Sequence, residues 1–247
     1  SYEQIEVIVV DDGSTDNSRH IIAEYGDRII PILQPNGKQA AAFNSGFARS
    51  QGEIIIFLDS DDYLFPQAVA EIVKVWQPDL AKVHYRLDVV NSVGESLGYS
   101  SPQGAIPLAQ GKVWQMLLET GGYTSTPTSG NALNRQALTN LFPIPDEYKL
   151  TADDYLSFQV PFYGEVMAVD HALGAYRVHD NNQWALSTVT GDRFKRFVRH
   201  DLQNFALLTN KAQELGYQIP PDLEQRSIGR LWSRIISLRL NAQNHPV

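Results

Sequence analysis

The sequence predicts an α/β fold: a mixed, mostly parallel sheet flanked by helices, followed by a C-terminal helical extension. Two apolar runs, at residues 5–10 and 54–58, have the unbroken hydrophobic pattern of strands buried on both faces of a sheet. Each run ends abruptly in acidic residues, and a helix-forming segment follows. Beyond residue 190 the apolar spacing is helical. We therefore expect one α/β domain at residues 1–190 and a helical extension at residues 191–247.

Composition sets limits on the class of protein. The chain has 247 residues, of which 43% are hydrophobic, enough for one large domain with an extension. A net charge of −8 and a pI of about 5.2 argue against a nucleic-acid-binding surface. The absence of cysteine excludes disulfides and thiolate metal sites. No apolar run is long enough to span a bilayer and no signal peptide opens the chain, so we expect a soluble, cytoplasmic protein.

The first half of the chain alternates between helices and strands. We predict helices at residues 17–25, 38–48 and 67–76, and further strands at residues 28–33 and 81–90. Residues 35–37 read Pro-Asn-Gly, a strong turn signal, and Pro78 stops the third helix. Residues 81–90 alternate between apolar and polar side chains, as a half-buried strand does.

The second half contains more irregular chain. We predict helices at 113–119, from 135, from 151, at 192–215 and at 220–240, and strands at 164–169 and 175–179. Residues 91–110 and 121–130 are rich in Gly, Ser and Pro and therefore predict loops.

The central acidic turn is the feature around which the chain is organised. Asp59, Asp61 and Asp62 follow the apolar run at residues 54–58 directly. Carboxylates at the mouth of a buried strand repel one another and lose solvation, and a divalent cation relieves both effects. Oxygen ligands favour a hard ion such as Mg²⁺ or Mn²⁺. The alternative is a solvated acidic turn in which Asp62 caps the next helix.

A similar pattern follows the first strand. Asp11 and Asp12 end that strand, where a carboxylate can accept a hydrogen bond from a nucleobase or a ribose hydroxyl. The alternative is turn and cap chemistry alone. The helix that begins at Gly37 and Lys38 could face a phosphate with its N-terminus. A purely structural packing helix explains Lys38 and Asn44 less well.

A second acidic pair and a late cationic pair complete the candidates. Asp153 and Asp154 fall in the first turn of a predicted helix with Thr151 as its N-cap. The helix dipole favours acids at that position whatever their function. Arg177 and His179 occupy alternate positions of a predicted strand, so both side chains point to one face.

The last helix carries an apolar and a basic stripe at helical spacing: Leu231, Ile235 and Leu238, and Arg226, Arg230 and Arg234. This pattern indicates either a docking helix with a solvated basic face or a surface for acidic lipid headgroups. The second alternative would place the protein at the inner face of a membrane.

The motifs, taken in order, resemble those of family 2 glycosyltransferases, which have the Rossmann-like GT-A fold. They are Val-Val-Asp-Asp-Gly-Ser-Thr-Asp at 9–16, Asn-Gly at 36–37 with Ala-Phe-Asn-Ser-Gly at 42–46, Leu-Asp-Ser-Asp-Asp at 58–62, Asp-Asp at 153–154 and Tyr-Arg-Val-His at 176–179. Each motif is weak alone, and the five in order are specific. The resemblance covers residues 5–182 and leaves the tail from Gly191 uncovered.

The resemblance implies an inverting, metal-assisted transfer of a sugar from a nucleotide-diphosphate sugar, foremost a UDP-sugar, to a hydroxyl of a carbohydrate or lipid-linked acceptor. It implies the nucleotide-sugar contacts Asp11, Asp12, Asn36, Lys38, Asn44, Asp59 and Arg177. It implies that Asp61, Asp59 and His179 bind Mn²⁺ or Mg²⁺. It implies Asp154 as the general base, with Asp153 as the alternate.

Two departures and two rival interpretations stand beside this resemblance. Family members usually begin with one more strand, which touches the nucleotide, whereas this chain opens almost directly in the second strand. Lys38 also lies where a small residue is usual. A non-catalytic sugar-binding relative is one rival. A phospho-receiver domain, with Asp59 as the phosphorylated residue, is the other, and it would leave Asp153 and His179 without a role.

Overall fold

The computed structural model describes residues 2–179, 190–226, 228–240 and 242–245. The strands are β1 Ile8–Asp12, β2 Ile30–Gln34, β3 Ile54–Ile56, β4 Tyr63–Leu64, β5 Leu80–Val90, β6 Ser96–Ser101, β7 Asn131–Asn134 and β8 Glu165–Arg177. The helices are α1 Ser18–Glu24, α2 Lys38–Arg49, α3 Ala68–Val75, α4 Val113–Thr120, α5 Arg135–Thr139, α6 Ala152–Gln159, α7 Gly191–Glu214, α8 Leu223–Arg226 and α9 Ile228–Leu240. Within the described chain these elements follow the predicted order, with β4, β6 and β7 added. The strands predicted at 164–169 and 175–179 are one strand, β8, which ends at Arg177, so His179 lies beyond it.

The strands form two sheets. β1 and β2 pair in parallel, and the larger sheet has the order β3-β7-β5-β8-β4 with β6 also paired to β5. The prediction of a mixed α/β fold is confirmed, but the parallel share is smaller than predicted: in the larger sheet β5–β8 is parallel, whereas the other described pairings are antiparallel. The prediction that the two apolar runs are buried on both faces is wrong: β1 and β3 are mostly half-buried, and Ile5, Val7 and Leu58 are exposed. An apolar run also does not set the direction of pairing.

The central strand β5 is buried on both faces. Val83, Tyr85 and Leu87 point to one face and pack with Ile72 of α3. This confirms the alternation that the sequence shows. The opposite face carries Lys82, His84 and Arg86, which are buried as well rather than solvated.

The segment 91–110 is more ordered than predicted. The loop prediction is wrong for Ser96–Ser101, which pairs antiparallel with β5 as strand β6. Serine and glycine have low strand propensity, and pairing with a long neighbouring strand overrides that preference. The guanidinium of Arg86 then donates hydrogen bonds to three backbone carbonyls between residues 102 and 106.

The helical tail shares the core of the α/β domain. Leu207 of α7 lies in one apolar cluster with Leu138 and Leu156. Leu208 packs with Leu117 of α4 in a second cluster. The predicted helix at 220–240 is two helices, α8 and α9. Within the described ranges, no helix combines the length and apolar character needed to cross a bilayer.

Candidate active site

A cavity of about 930 Å³ opens where β1 and β3 end. Eight of the eleven residues predicted for the site line it: Asp12, Asn36, Lys38, Asp59, Asp61, Asp153, Asp154 and His179. The fold therefore brings together residues that are distant in the sequence: Asp12 and His179 are 167 positions apart. The other three, Asp11, Asn44 and Arg177, lie outside the lining.

Asp59 lies in a strongly negative and poorly solvated environment. Burial raises the pKa of its carboxyl to about 7, and the negative charges of Asp153, Asp62 and Asp61 add to the shift. The backbone amide of Asp59 donates to Ser129 Oγ at 3.0 Å, which fixes the start of the turn. The carboxylate cluster thus has the electrostatic cost that the sequence predicts, and a bound cation would offset it.

Arg177 donates hydrogen bonds to the acidic turn. Its backbone N–H donates to Asp62 Oδ1 at 2.8 Å, and its Nε donates to the carbonyl oxygen of Asp61 at 2.7 Å. Burial raises the pKa of Asp62. Because α3 begins after Gln67, Asp62 is not the cap of that helix, and this part of the alternative interpretation is wrong. Arg177 holds the acidic turn through these hydrogen bonds, and its contact with a diphosphate remains a prediction.

Asp61 and His179 form the candidate metal pair. Asp61 Oδ2 lies 2.9 Å from His179 Nε2, and β8 ends at Arg177, two residues before the histidine. In the ranges that the structure covers, three or more carboxylate or imidazole groups do not converge as a preformed metal cage. Mg²⁺ sites commonly use one or two carboxylates and complete the shell with phosphates and water. The Asp61 carboxylate fits such a site, and the metal role of His179, whose Nε2 contacts Asp61, remains a prediction.

The carboxylate of Asp12 hydrogen-bonds the backbone at the start of α2. Its carboxylate accepts hydrogen bonds from Gln34 Nε2 at 2.7 Å, from the Gly37 amide at 2.9 Å and from the Lys38 amide at 2.7 Å. Lys38 has a φ of 71°, an unusual conformation for a lysine. The amides that were expected to face a phosphate therefore face Asp12, while the side chains of Asn36 and Lys38 line the cavity.

Asp11 and Asn44 hold the scaffold around the cavity. Asp11 Oδ1 accepts from the Ser14 amide and from Arg19 Nε. Hydrogen bonding by the Ser14 side chain, followed by that of Arg19, lowers the pKa of Asp11 to about 2. The Asn44 amide exchanges two hydrogen bonds with the backbone of Ile144. Both residues position the walls, and their contact with a nucleotide remains a prediction.

The pair Asp153 and Asp154 diverges at the start of α6. Asp153 Oδ2 accepts from Thr128 Oγ1 at 3.1 Å, and burial, followed by the charge of Asp154, raises the pKa of Asp153 to about 6. Asp154 Oδ2 lies 2.7 Å from His200 Nε2. Thr151 occupies the N-cap position as predicted but makes no side-chain capping hydrogen bond. The two carboxylates therefore have different partners.

Sequence reasoning missed Lys82 and His200. Lys82 is 1% exposed, lines the floor of the cavity, and donates to Tyr123 OH at 3.0 Å and Ser125 Oγ at 2.8 Å. The position of Lys82 on the polar face of β5 could have drawn attention to it, but an alternation of apolar and polar residues predicts that the polar face is solvated. His200 lies in the tail that the motifs do not cover, so no local pattern marks it.

The buried amine of Lys82 predicts a specific pH dependence of stability. Burial lowers its pKa from 10.5 to about 7, so between pH 7 and 9 the unfolded chain binds more protons than the folded chain. Stability from this group therefore rises with pH, by at most about 1.4 kcal/mol per pH unit. We expect Lys82→Met to gain stability relative to the unsubstituted protein at pH 7, and less at pH 9, in urea unfolding. The exposed Lys74→Met is the control; an equal difference at both pH values for Lys82→Met would contradict the assignment.

A family model described as glycosyl transferase family 2 matches residues 1–136. The chain belongs to glycosyl transferase family 2. It is 35% identical over 201 residues to an uncharacterised glycosyltransferase of Nostoc, covering 78% of this chain and 62% of that protein. It is 28% identical to EpsH of Bacillus subtilis, covering 72% of this chain and 53% of EpsH. This glycosyltransferase thus spans about three fifths or less of the length of these relatives.

Solved structures share the fold of this family 2 glycosyltransferase. Residues 1–349 of TarS from S. aureus, solved with UDP-GlcNAc, superpose with a TM-score of 0.58 at 16% identity, covering 98% of this chain and 72% of that one. A mannosyltransferase from Pyrobaculum calidifontis, solved with GDP-Man and Mn²⁺, gives 0.55 at 17% identity, covering 96% of this chain and 65% of that one. The predicted GT-A fold is confirmed.

Proposed function

We propose that this glycosyltransferase moves a sugar from a nucleotide-diphosphate sugar to an acceptor hydroxyl with inversion at the anomeric carbon and with the help of a divalent cation. One observation carries the proposal. The pair of Asp61 and His179 and the separate carboxylate of Asp154 line the same cavity. A metal site for the leaving group and a base for the acceptor are the two functions that such a transfer requires.

The cation site is assigned to Asp61 and His179, with Asp59 as a further ligand or as a contact to the ribose or sugar. When bound, Mn²⁺ or Mg²⁺ would stabilise the negative charge that develops on the departing diphosphate. Asp59 lies close enough to Asp61 for the charge of Asp61 to contribute to the raised pKa of the Asp59 carboxyl. A bound cation would offset the repulsion between these aspartates, which supports placing the cation site beside them.

The base is assigned to Asp154. The proton of the acceptor hydroxyl passes to the Asp154 carboxylate while the acceptor oxygen bonds to the anomeric carbon. The bond from that carbon to the diphosphate oxygen breaks, and the electron pair leaves with the nucleoside diphosphate. Because one displacement occurs on the face opposite the leaving group, the configuration inverts.

The nature of the donor is best tested by calorimetry with UDP, GDP and their sugars in the presence of Mn²⁺. A neighbour of similar fold was solved with UDP-GlcNAc and another with GDP-Man, and we place UDP-sugars first. We expect binding of at least one nucleoside diphosphate and release of that diphosphate when a sugar acceptor is added. Binding without release would favour the non-catalytic relative, and no binding at all would overturn the proposal.

The exposed face of α9 supports a peripheral contact with acidic lipids. Trp232 is 60% exposed and Ile235 is 55% exposed, and the sequence of α9 contains arginines but no acidic residue. The basic stripe is less open than predicted: Arg226 lies in α8 and pairs with Asp222, and Arg234 lies 3.8 Å from Glu224. The side chain of Arg230 lies outside the described residues.

Vesicle sedimentation tests this contact. We expect the protein to sediment with vesicles that contain phosphatidylglycerol, and the double variant Trp232→Ser with Ile235→Ser to lose most of that binding. Val93→Ser, which removes an exposed apolar side chain elsewhere, is the matched control. Binding that is unchanged in the double variant, or that is equal with neutral phosphatidylcholine vesicles, would contradict the assignment.

A further inference from the structure

A close contact to the assigned base comes from the C-terminal helical extension. His200 of α7 places Nε2 2.7 Å from Asp154 Oδ2. The two side chains are largely buried together, with 17% and 34% of their surfaces exposed. Asp154 lines the cavity, whereas His200 approaches from outside the lining. The contact joins residues 46 positions apart and connects the helical tail to the reaction site.

We propose that His200 is a positioning residue, which holds the Asp154 carboxylate in the orientation for proton removal and makes α7 part of the site. The proposal rests on the proposed function, which assigns Asp154 as the base. His200 uses Oδ2, and among the residues that the structure describes Oδ1 accepts no hydrogen bond from the protein. One oxygen is thus fixed, and the other can face the acceptor hydroxyl.

The charges around the imidazole favour its protonated form. Burial lowers the pKa of His200, but the hydrogen bond and charge of Asp154, and then the charges of Asp153 and Asp201, outweigh burial and raise it. The charged groups that raise the pKa of His200 include the two acids of α6 and one acid of its own helix. A protonated imidazole donates a charge-assisted hydrogen bond to Asp154 Oδ2 and so holds the carboxylate that acts as the base.

The helix that carries His200 is anchored firmly enough to hold this geometry. Val198 and Leu208 of α7 are fully buried. Lys211 Nζ, further along α7, donates to Tyr163 OH at 2.9 Å. These contacts lie on both sides of His200 along the helix, so they set its rotation as well as its distance. A positioning residue requires such a rigid support.

Two variants and one matched control test the proposal. His200→Leu removes both the donor and the charge, and His200→Gln keeps an N–H donor without a charge. The control is His171→Gln, which breaks another imidazole–carboxylate pair, with Glu71 at 2.6 Å, at a more exposed position. The measured quantities are kcat and KM for the nucleotide sugar, and the dependence of kcat/KM on pH.

We expect His200→Leu to lower kcat by about 10- to 100-fold, with KM for the nucleotide sugar within about twofold of the unsubstituted protein. His200→Gln should keep most of kcat, since it can still donate to Asp154. Both variants should move the acid limb of the pH profile about one unit to higher pH, because a cation next to the base is lost. His171→Gln should leave kcat, KM and the pH profile unchanged.

Each other outcome overturns the proposal. If His200→Leu matches the unsubstituted protein in kcat and pH profile while Asp154→Asn is inactive, the positioning role fails and the proposed function stands. If Asp154→Asn is fully active, the assignment of the base fails first, and the inference fails with it. If His200→Leu does not fold, His200→Gln decides: an acid limb that does not move contradicts the proposal.

Discussion

Asp154→Asn is expected to lower the turnover number by roughly two to four orders of magnitude. The amide cannot accept the proton of an acceptor hydroxyl, whereas its shape is close to that of the carboxylate. The substituted side chain can still contact His200 through its amide oxygen, so the fold and the cavity should persist. Affinity for the nucleotide sugar should also persist, because the candidate metal ligands Asp61 and His179 are separate from this carboxylate.

The competing explanation makes the acidic pair simple partners of the helix dipole, worth under ~1 kcal/mol each at an exposed helix end. Asp153→Asn is the matched control, because Asp153 occupies the neighbouring position of α6 and hydrogen-bonds Thr128. We expect it to lower turnover less than Asp154→Asn. Single-turnover rates at saturating donor separate the two variants. Near-normal rates in both would show that the pair only starts the helix.

Asp61→Ala is expected to abolish the metal-dependent part of nucleoside diphosphate binding. In the unsubstituted protein, EDTA should weaken that binding by at least about tenfold, because a cation held by Asp61 and His179 would stabilise the negative charge of the diphosphate. In Asp61→Ala the affinity should be low with or without EDTA. The exposed Asp27→Ala, which removes an acid outside the cavity lining, should behave as the unsubstituted protein does. Calorimetry measures all the affinities directly.

Equal affinity in the four combinations of protein and EDTA would remove Asp61 from the metal site. If EDTA leaves the affinity of the unsubstituted protein unchanged while Asp61→Ala still lowers it, Asp61 contacts the nucleotide sugar rather than a cation. Either result leaves the prediction for Asp154 untouched, because the two carboxylates lie on different elements and have different hydrogen-bond partners.

The sequence predicted which segments meet at the cavity better than it predicted how the strands pair. The acids that follow the apolar runs at residues 5–10 and 54–58 marked the place where the cavity opens. The path of the whole chain decides whether two strands pair in parallel or antiparallel, and a local apolar pattern carries no information about that. Strand β6 was missed for the same reason, since its serines and glycine pair with β5 against their own propensity.

The site residues that were missed depend on contacts between distant segments. His200 reaches Asp154 only because α7 packs on α6, and the spacing of α7 predicts a buried face but not what that face covers. Lys82 looked like a solvated residue of an alternating strand, and the structure covers that face with residues 123–125. Arg177 and Asn44 were recognised as polar positions, and their observed partners are backbone groups of the scaffold.

The anomeric configuration of the product tests the central claim most directly. Once the calorimetric screen has identified a donor with an axial, α-linked diphosphate, ¹H NMR of the transfer product gives the configuration. We predict a β-linked product with the unsubstituted protein and product formation lowered at least about a hundredfold with Asp154→Asn. An α-linked product, or equal product formation by the two proteins, would contradict a single displacement assisted by Asp154.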